Sequence, residues 1–160
     1  MTKITEYTES YKNEVIDLIV NIQRNEFSIP ITSEQQPDLH DIGNFYQHGA
    51  GNFWIALHEN RVIGTISILD IGCGQAALRK MFVDNEYRGG ETGVATLLLS
   101  TLLDWCESKK VSEVFLGTTA KFFAAHRFYE KSGFIQIPAI ALPSNFPVMA
   151  VDSKFYRYDI

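Results

Sequence analysis

At 160 residues and 46% apolar composition, the chain is sized for one domain spanning residues 1–160 with a sizeable core, and it leaves little room for two. Its 19 acidic against 14 basic residues give a formal charge of −5, and its basic runs are no longer than pairs such as Arg79-Lys80 and Lys109-Lys110, which excludes the electrostatic footprint of a nucleic-acid binder. No apolar run opens the chain or reaches the roughly 18 residues of a membrane span, and Cys73 and Cys106 form neither a CxxC pair nor a disulfide framework, so the expectation is a soluble, cytoplasmic protein without a membrane partner.

In chain order, residues 2–8 read as a short first strand, and residues 11–24 carry Val15, Ile16, Leu18, Ile19 and Ile22 at helical spacing. Residues 25–32 break that helix, and Pro37-Asp38 opens a shorter one ending near His48-Gly49. Residues 53–58 and 62–69 are apolar, β-branched runs joined by Glu59-Asn60-Arg61, and they predict a hairpin. After the turn Gly72-Cys73-Gly74, residues 76–83 form a further strand.

Residues 92–109 place Val94, Leu98, Leu102 and Trp105 on one face, flanked by Ala95, Leu99, Leu103 and Cys106, the broad stripe of a core-facing helix. A strand at 111–117, a helix at 121–132 and a strand at 134–137 follow, and this alternation implies parallel strands covered by helices. Pro138, Pro143 and Pro147 punctuate an apolar loop before a last strand at 154–160.

Two segments carry chemistry. The stretch Tyr87-Arg88-Gly89-Gly90-Glu91-Thr92-Gly93-Val94-Ala95 leads into the long helix, whose first four amide groups have no partner inside the helix and, with the dipole, attract negative oxygens. Gly89, Gly90 and Gly93 allow a close approach of backbone to ligand, and Arg88 and the Thr92 hydroxyl could add direct phosphate contacts. Neither a P-loop nor a dinucleotide fingerprint has its residues here. About 40 residues later, Phe128-Tyr129-Glu130-Lys131-Ser132-Gly133-Phe134 supplies a phenol. Together these are the parts needed to hold a pyrophosphate-bearing thioester and assist its departing sulfur.

These two segments, with the strand ending Leu78-Arg79-Lys80-Met81-Phe82-Val83, resemble the GNAT superfamily of acetyl-CoA-dependent N-acetyltransferases over roughly residues 53–160. The resemblance implies an α/β fold: a mixed, mostly antiparallel sheet of about six or seven strands, flanked by about four helices, with a parallel pair at a splayed centre. It implies acetyl-CoA as acyl donor, no metal, and a pyrophosphate seated on Arg88, Gly89, Gly90, Glu91, Thr92, Gly93, Val94 and Ala95. The pantetheine would pair with Met81, Phe82 and Val83, Tyr129 would face the thiol, and Phe128 and Lys131 would stand beside the donor. Arg88 lies two residues further upstream than in the usual family loop, and Phe122 occupies a position where many members have an asparagine that bonds the pantetheine, with Thr118 and Thr119 close by in sequence. A symmetric dimer is expected by analogy.

The reaction implied is transfer of an acetyl group to a primary amine of a small molecule or protein, by direct attack in a ternary complex. The alternative is a non-catalytic acyl-CoA sensor or regulatory module that keeps the cradle and lacks an acceptor site. A phenol with a pKa near 10 stays protonated at neutral pH and can donate to a thiolate whose conjugate acid titrates near 8.5. Without the upstream loop, Tyr129 would read as a half-buried helix tyrosine beside Phe123 and Phe128. An acceptor amine must lose a proton, and Glu26, in the helix-breaking segment, and Asp70, at the end of a strand, are the candidate bases; Glu26 is preferred because the matching family segment walls the acceptor site. Arg127 and Lys131 could reach the adenosine phosphates, and Phe27, Phe146 and residues 137–142 could line the acceptor pocket. The histidines at 40, 48, 58 and 126 lack the spacing of a zinc pair, Cys73 has no adjacent base, and Cys106 belongs to an apolar stripe.

Overall fold

The computed structural model describes residues 1–89 and 93–160. Seven strands form one sheet: β1 (Thr2–Glu6), β2 (Asn52–His58), β3 (Arg61–Gly72), β4 (Gln75–Val83), β5 (Glu113–Thr118), β6 (Ile135–Ile137) and β7 (Lys154–Asp159). Their spatial order is β1-β2-β3-β4-β5-β7-β6, and every neighbouring pair is antiparallel except β4–β5. The expected parallel pair is there. The strand–helix–strand rhythm overstates it, however, because β7 inserts between β5 and β6, so the crossover from β5 does not end beside its own strand.

Strand β2 shows how the sheet divides the interior. Phe53, Ile55 and Leu57 face one core with Val15, Ile19, Leu39, Ile42 and Tyr46, while Trp54 and Ala56 face the other with Ile66, Leu98, Leu102 and Tyr129. Period-two alternation with both faces buried accounts for an uninterrupted apolar run in the sequence. The first core lies under α1 (Lys12–Asn21) and α2 (Ile42–Tyr46); the second lies under α3 (Val94–Ser108), which crosses β1, β2 and β3. Each buried Leu of the α3 face contributes roughly 1.5–3 kcal/mol relative to exposure, so this helix is anchored by its stripe. Helix α4 (Phe123–Lys131) packs near β6.

Two segments differ from the helical spacing. The chain after α1 continues as one wide turn of π-helix, Ile22–Glu26, in place of α-helix to residue 24. The helix expected after Pro37 is two short pieces, a 3₁₀ turn Pro37–His40 and α2, separated at Asp41. No helix among the described residues is long and apolar enough to cross a membrane.

Candidate active site

Strands β4 and β5 are paired only at Gln75–Glu113, Ala76–Val114 and Ala77–Phe115. Beyond Ala77 they part, leaving Leu78–Val83 and Leu116–Thr118 without one another, and a cavity of about 670 Å³ opens in the gap. Because the gap runs through the sheet, the cavity touches both sides. Val94, Phe128 and Tyr129 line it from the α3–α4 face, and Gln23, Ile29, Arg79 and Lys80 line it from the α1–α2 face.

The start of α3 forms one end of this space. Gly93 holds φ 60°, in the left-handed region that glycine adopts without strain, and from there the chain enters the helix, with Leu97 N–H donating to Gly93 O at 2.8 Å. The amides of Val94, Ala95 and Thr96 belong to the first turn and lack i−4 acceptors inside the helix, and these three residues line the cavity. Arg88, Gly89, Gly93, Val94 and Ala95 therefore stand at the cavity wall, as do Met81, Phe82, Val83 and Phe128. Gly90, Glu91 and Thr92 lie outside the described residues. Lys131, at the end of α4, is not part of the cavity lining, whereas Arg127 is.

Tyr129 is 5% exposed, and its ring sits against Phe134, Phe128 and Tyr156 at centroid distances of 5.5, 5.8 and 6.0 Å. Burial, with the neighbouring Tyr156 adding to it, raises its phenol well above the ordinary value. Among the described residues no buried side-chain polar atom lacks a partner, so the Tyr129 hydroxyl, which bonds to none of them, opens onto the cavity it lines.

Glu26 closes the π-helical turn and meets Arg88: both its carboxylate oxygens accept from the Arg88 guanidinium, one of them at 2.6 Å. Arg88 Nε also donates to Val83 O at 2.7 Å, so this arginine ties the end of β4 to the segment after α1. Glu26 itself is not in the cavity lining. Asp70 is further away, accepting from the Ala50 and Gly72 amides near the other end of β3. Phe122 packs edge-on against Phe27 at 4.8 Å and Phe82 at 6.2 Å, and Lys121 Nζ donates to Ser28 O at 3.3 Å; these contacts bring the two walls together across the gap. Phe27 and Phe146 line the cavity, while Ile137 and Leu142 pack with Phe146 in a small separate cluster.

Three polar groups of the cavity were invisible to motif spacing. Asp152, in the loop before β7, accepts from Met149 N–H at 2.9 Å and points toward β5. Burial pushes its carboxyl up, opposed by the Met149 amide and by the charges of Arg79 and Lys80. The other two are those cations. A bulge in β4 opposite Thr65 and Ser67 puts Lys80 at φ 53°, and its carbonyl and that of Arg79 accept from the Thr65 and Ser67 hydroxyls, each at 2.6 Å. Consecutive strand residues ordinarily face opposite sides. The bulge instead brings both side chains to Asp38, with Lys80 Nζ at 3.7 Å and Arg79 Nη2 at 3.9 Å from the same oxygen.

The model of the acetyltransferase (GNAT) family matches residues 16–134. A GNAT-family acetyltransferase from Staphylococcus aureus Mu50 superposes with a TM-score of 0.95 at 38% identity, covering 99% of both chains. An acetyltransferase from Streptococcus agalactiae 2603 gives 0.94 at 32% identity, over 99% of this chain and 98% of that one. N-acetylaspartate synthetase of Xenopus tropicalis is 34% identical over 105 residues, 64% of this chain and 38% of its own length. The chain spans less than half the length of the curated relatives it matches. With a family match over most of its length and near-complete superposition on the Staphylococcus enzyme, the chain belongs to the acetyltransferase (GNAT) family.

Proposed function

We propose that this acetyltransferase moves the acetyl group of acetyl-CoA onto a primary amine of a small molecule, by direct attack within a ternary complex. One observation carries the reading: a single cavity joins the amide-rich start of α3 to the Tyr129 hydroxyl and continues through the sheet to polar groups on the other face. A thioester seated along the free edge of β4, with its pyrophosphate at Gly93–Thr96, would present its carbonyl carbon where the strands part. The amine then arrives from the α1–α2 side. A relative named N-acetylaspartate synthetase supports a small-molecule acceptor.

In the reaction the amine nitrogen bonds to the carbonyl carbon, the C–S bond breaks, and the surplus amine proton leaves to a base while the sulfur departs as thiolate. Tyr129 serves this step as a hydrogen-bond donor to the sulfur, because a phenol held above its ordinary pKa keeps its proton. For the base there are two carboxylates. Glu26 would have to leave Arg88 to act, whereas Asp152 already lines the cavity, so the geometry favours Asp152. Free Cys73 and Cys106 are in keeping with a cytoplasmic setting.

The test is thiol release from acetyl-CoA across a panel of primary amines, paired with a thermal shift on adding CoA. Acceptor-dependent thiol release is expected. A CoA shift without acceptor-dependent release would identify a sensor, and no CoA shift would remove the reading.

A further inference from the structure

Two adjacent cations on the α1–α2 wall of the cavity call for a physical reason. Lys80 is nearly enclosed, with its side chain 9% exposed, and burial lowers its ammonium pKa despite the attraction of Asp38. Keeping two such charges beside each other is costly unless something anionic is close. Asp38 is the carboxylate within 4.0 Å of both, its same oxygen also accepts the Tyr46 hydroxyl at 2.6 Å, and Asp152 acts on the two cations only at longer range.

The donors are also incompletely used. Lys80 Nζ gives one hydrogen bond, to Gln36 Oε1 at 2.6 Å, and Gln36 is fixed in turn by reciprocal amide bonds with Gln23 at 2.8 and 3.1 Å. The Arg79 guanidinium rests beside the rings of Phe45 and Tyr46 at 5.6 and 6.0 Å and makes no hydrogen bond to a described residue. Since no buried side-chain donor among the described residues is left without a partner, the guanidinium donors are accessible, and Arg79 is one of the residues lining the cavity. A planar fork, held against rings and presented to a pocket, matches a carboxylate.

The cations are not placed for the donor's pyrophosphate. They face the core under α1 and α2, whereas Val94 and the first turn of α3 face the opposite core. They stand where the acceptor enters. Asp152 lines the same cavity without pairing to either cation among the described residues, so positive and negative groups are set apart within one pocket.

We propose that Arg79 and Lys80 form a carboxylate-binding subsite, and that the acceptor is a small amine bearing a carboxylate, as an amino acid does. This rests on the acetyl-transfer reading above. The carboxylate sits on the two cations, and the amine of the same molecule faces Asp152 and the gap between β4 and β5.

The experiment uses the whole chain and acceptors that differ only in the carboxylate: L-amino acids, their primary amides and their decarboxylated amines, followed by thiol release. The carboxylate forms are expected to lead by roughly ten- to a hundredfold in kcat/KM, chiefly through KM, and Arg79→Gln should erase that preference while leaving the CoA thermal shift intact. Lys80→Gln is the second variant, should Arg79→Gln not fold. Independently of turnover, N-acetyl amino acids should stabilise the CoA-saturated protein more than their amides do. Equal rates on carboxylate and amide forms, or a preference that survives both substitutions, would overturn the subsite. A CoA shift with no carboxylate discrimination in either assay defeats this inference alone, whereas absence of the CoA shift defeats the acetyl-transfer reading and this inference with it.

Discussion

Arg88, on the cavity wall, pairs with Glu26 behind it, the guanidinium held by both carboxylate oxygens and by the carbonyl of Val83. Each is expected from sequence to serve a different partner, the arginine a phosphate and the glutamate an amine. Their side chains are 29% and 30% exposed, so the pair is partly screened and contributes up to about 1 kcal/mol. Glu26→Gln should therefore release Arg88 toward the donor phosphates and tighten CoA by about two- to fivefold, measured by titration calorimetry. The acidic limb of the rate profile should survive the substitution. Loss of that limb would return Glu26 to the role of base.

Much of the fold was legible because its elements obey one period at a time. The α3 stripe and the two-sided run of β2 each repeat with a single spacing, and the glycine-bearing entry to α3 is visible as composition. What periodicity cannot carry is an interruption. The bulge at Lys80 turns two consecutive side chains to one face, and alternation assigns them to opposite faces. The π-helical turn at 22–26 moves Gln23 and Glu26 off the α-helical spiral. Asp152 enters through a proline-punctuated loop without pattern, brought to β5 by tertiary packing alone. The glycine-bearing helix start and the phenol that line one end of the cavity were thus readable as residues, and most of the polar groups on the opposite wall were not; the one local signal there was an Arg-Lys pair inside an apolar strand.

Tyr129→Phe should leave the fold intact, since the ring contacts remain and the hydroxyl bonds to no described residue. A hydrogen bond to a charged leaving group accounts for roughly ten- to a hundredfold in turnover. We expect kcat to fall in that range while the KM for acetyl-CoA stays within about twofold. Because burial holds the phenol above its ordinary pKa, Tyr129 should add no basic limb to the profile near neutral pH. Steady-state kinetics under saturating acceptor decide this, and unchanged kcat would take the phenol out of the chemistry.

Asp152→Asn separates catalysis from stability through the sign of its pKa shift. The folded carboxyl titrates above its unfolded value, so its contribution to stability is present below the unfolded pKa and is lost as pH rises through the folded one. At neutral pH the ionised group is a liability, countered by the Met149 amide, Arg79 and Lys80. The asparagine variant should then melt no lower than wild type at pH 7 and show a flatter dependence of melting temperature on acid. Its turnover should drop by roughly a hundredfold, the usual effect of removing a general base, and the acidic limb of the rate profile should disappear. A variant that keeps both limb and rate would show that another group accepts the proton.

Gly117→Ala tests the same carboxylate from the opposing strand. A methyl group there would lie 2.5 Å from Asp152 Oδ2 and 2.7 Å from its Cγ, closer than atoms tolerate, and 3.1 Å from Phe155 Cε1, a tight contact. Phe155 is fixed in β7, which pairs with β5 along its whole length, so the Asp152 loop is the part that can give. The cost of such overpacking is about 1–3 kcal/mol, read from denaturant midpoints. If Asp152 works from its present position, displacing it should reduce turnover nearly as much as removing its charge, with the CoA thermal shift preserved because the α3 end of the cavity is untouched. Adding Gly117→Ala to Asp152→Asn should then cost little further activity, since both changes remove one function. Full additivity in kcat would mean that the glycine and the aspartate act separately, and that the closeness of this loop to β5 serves packing rather than proton transfer.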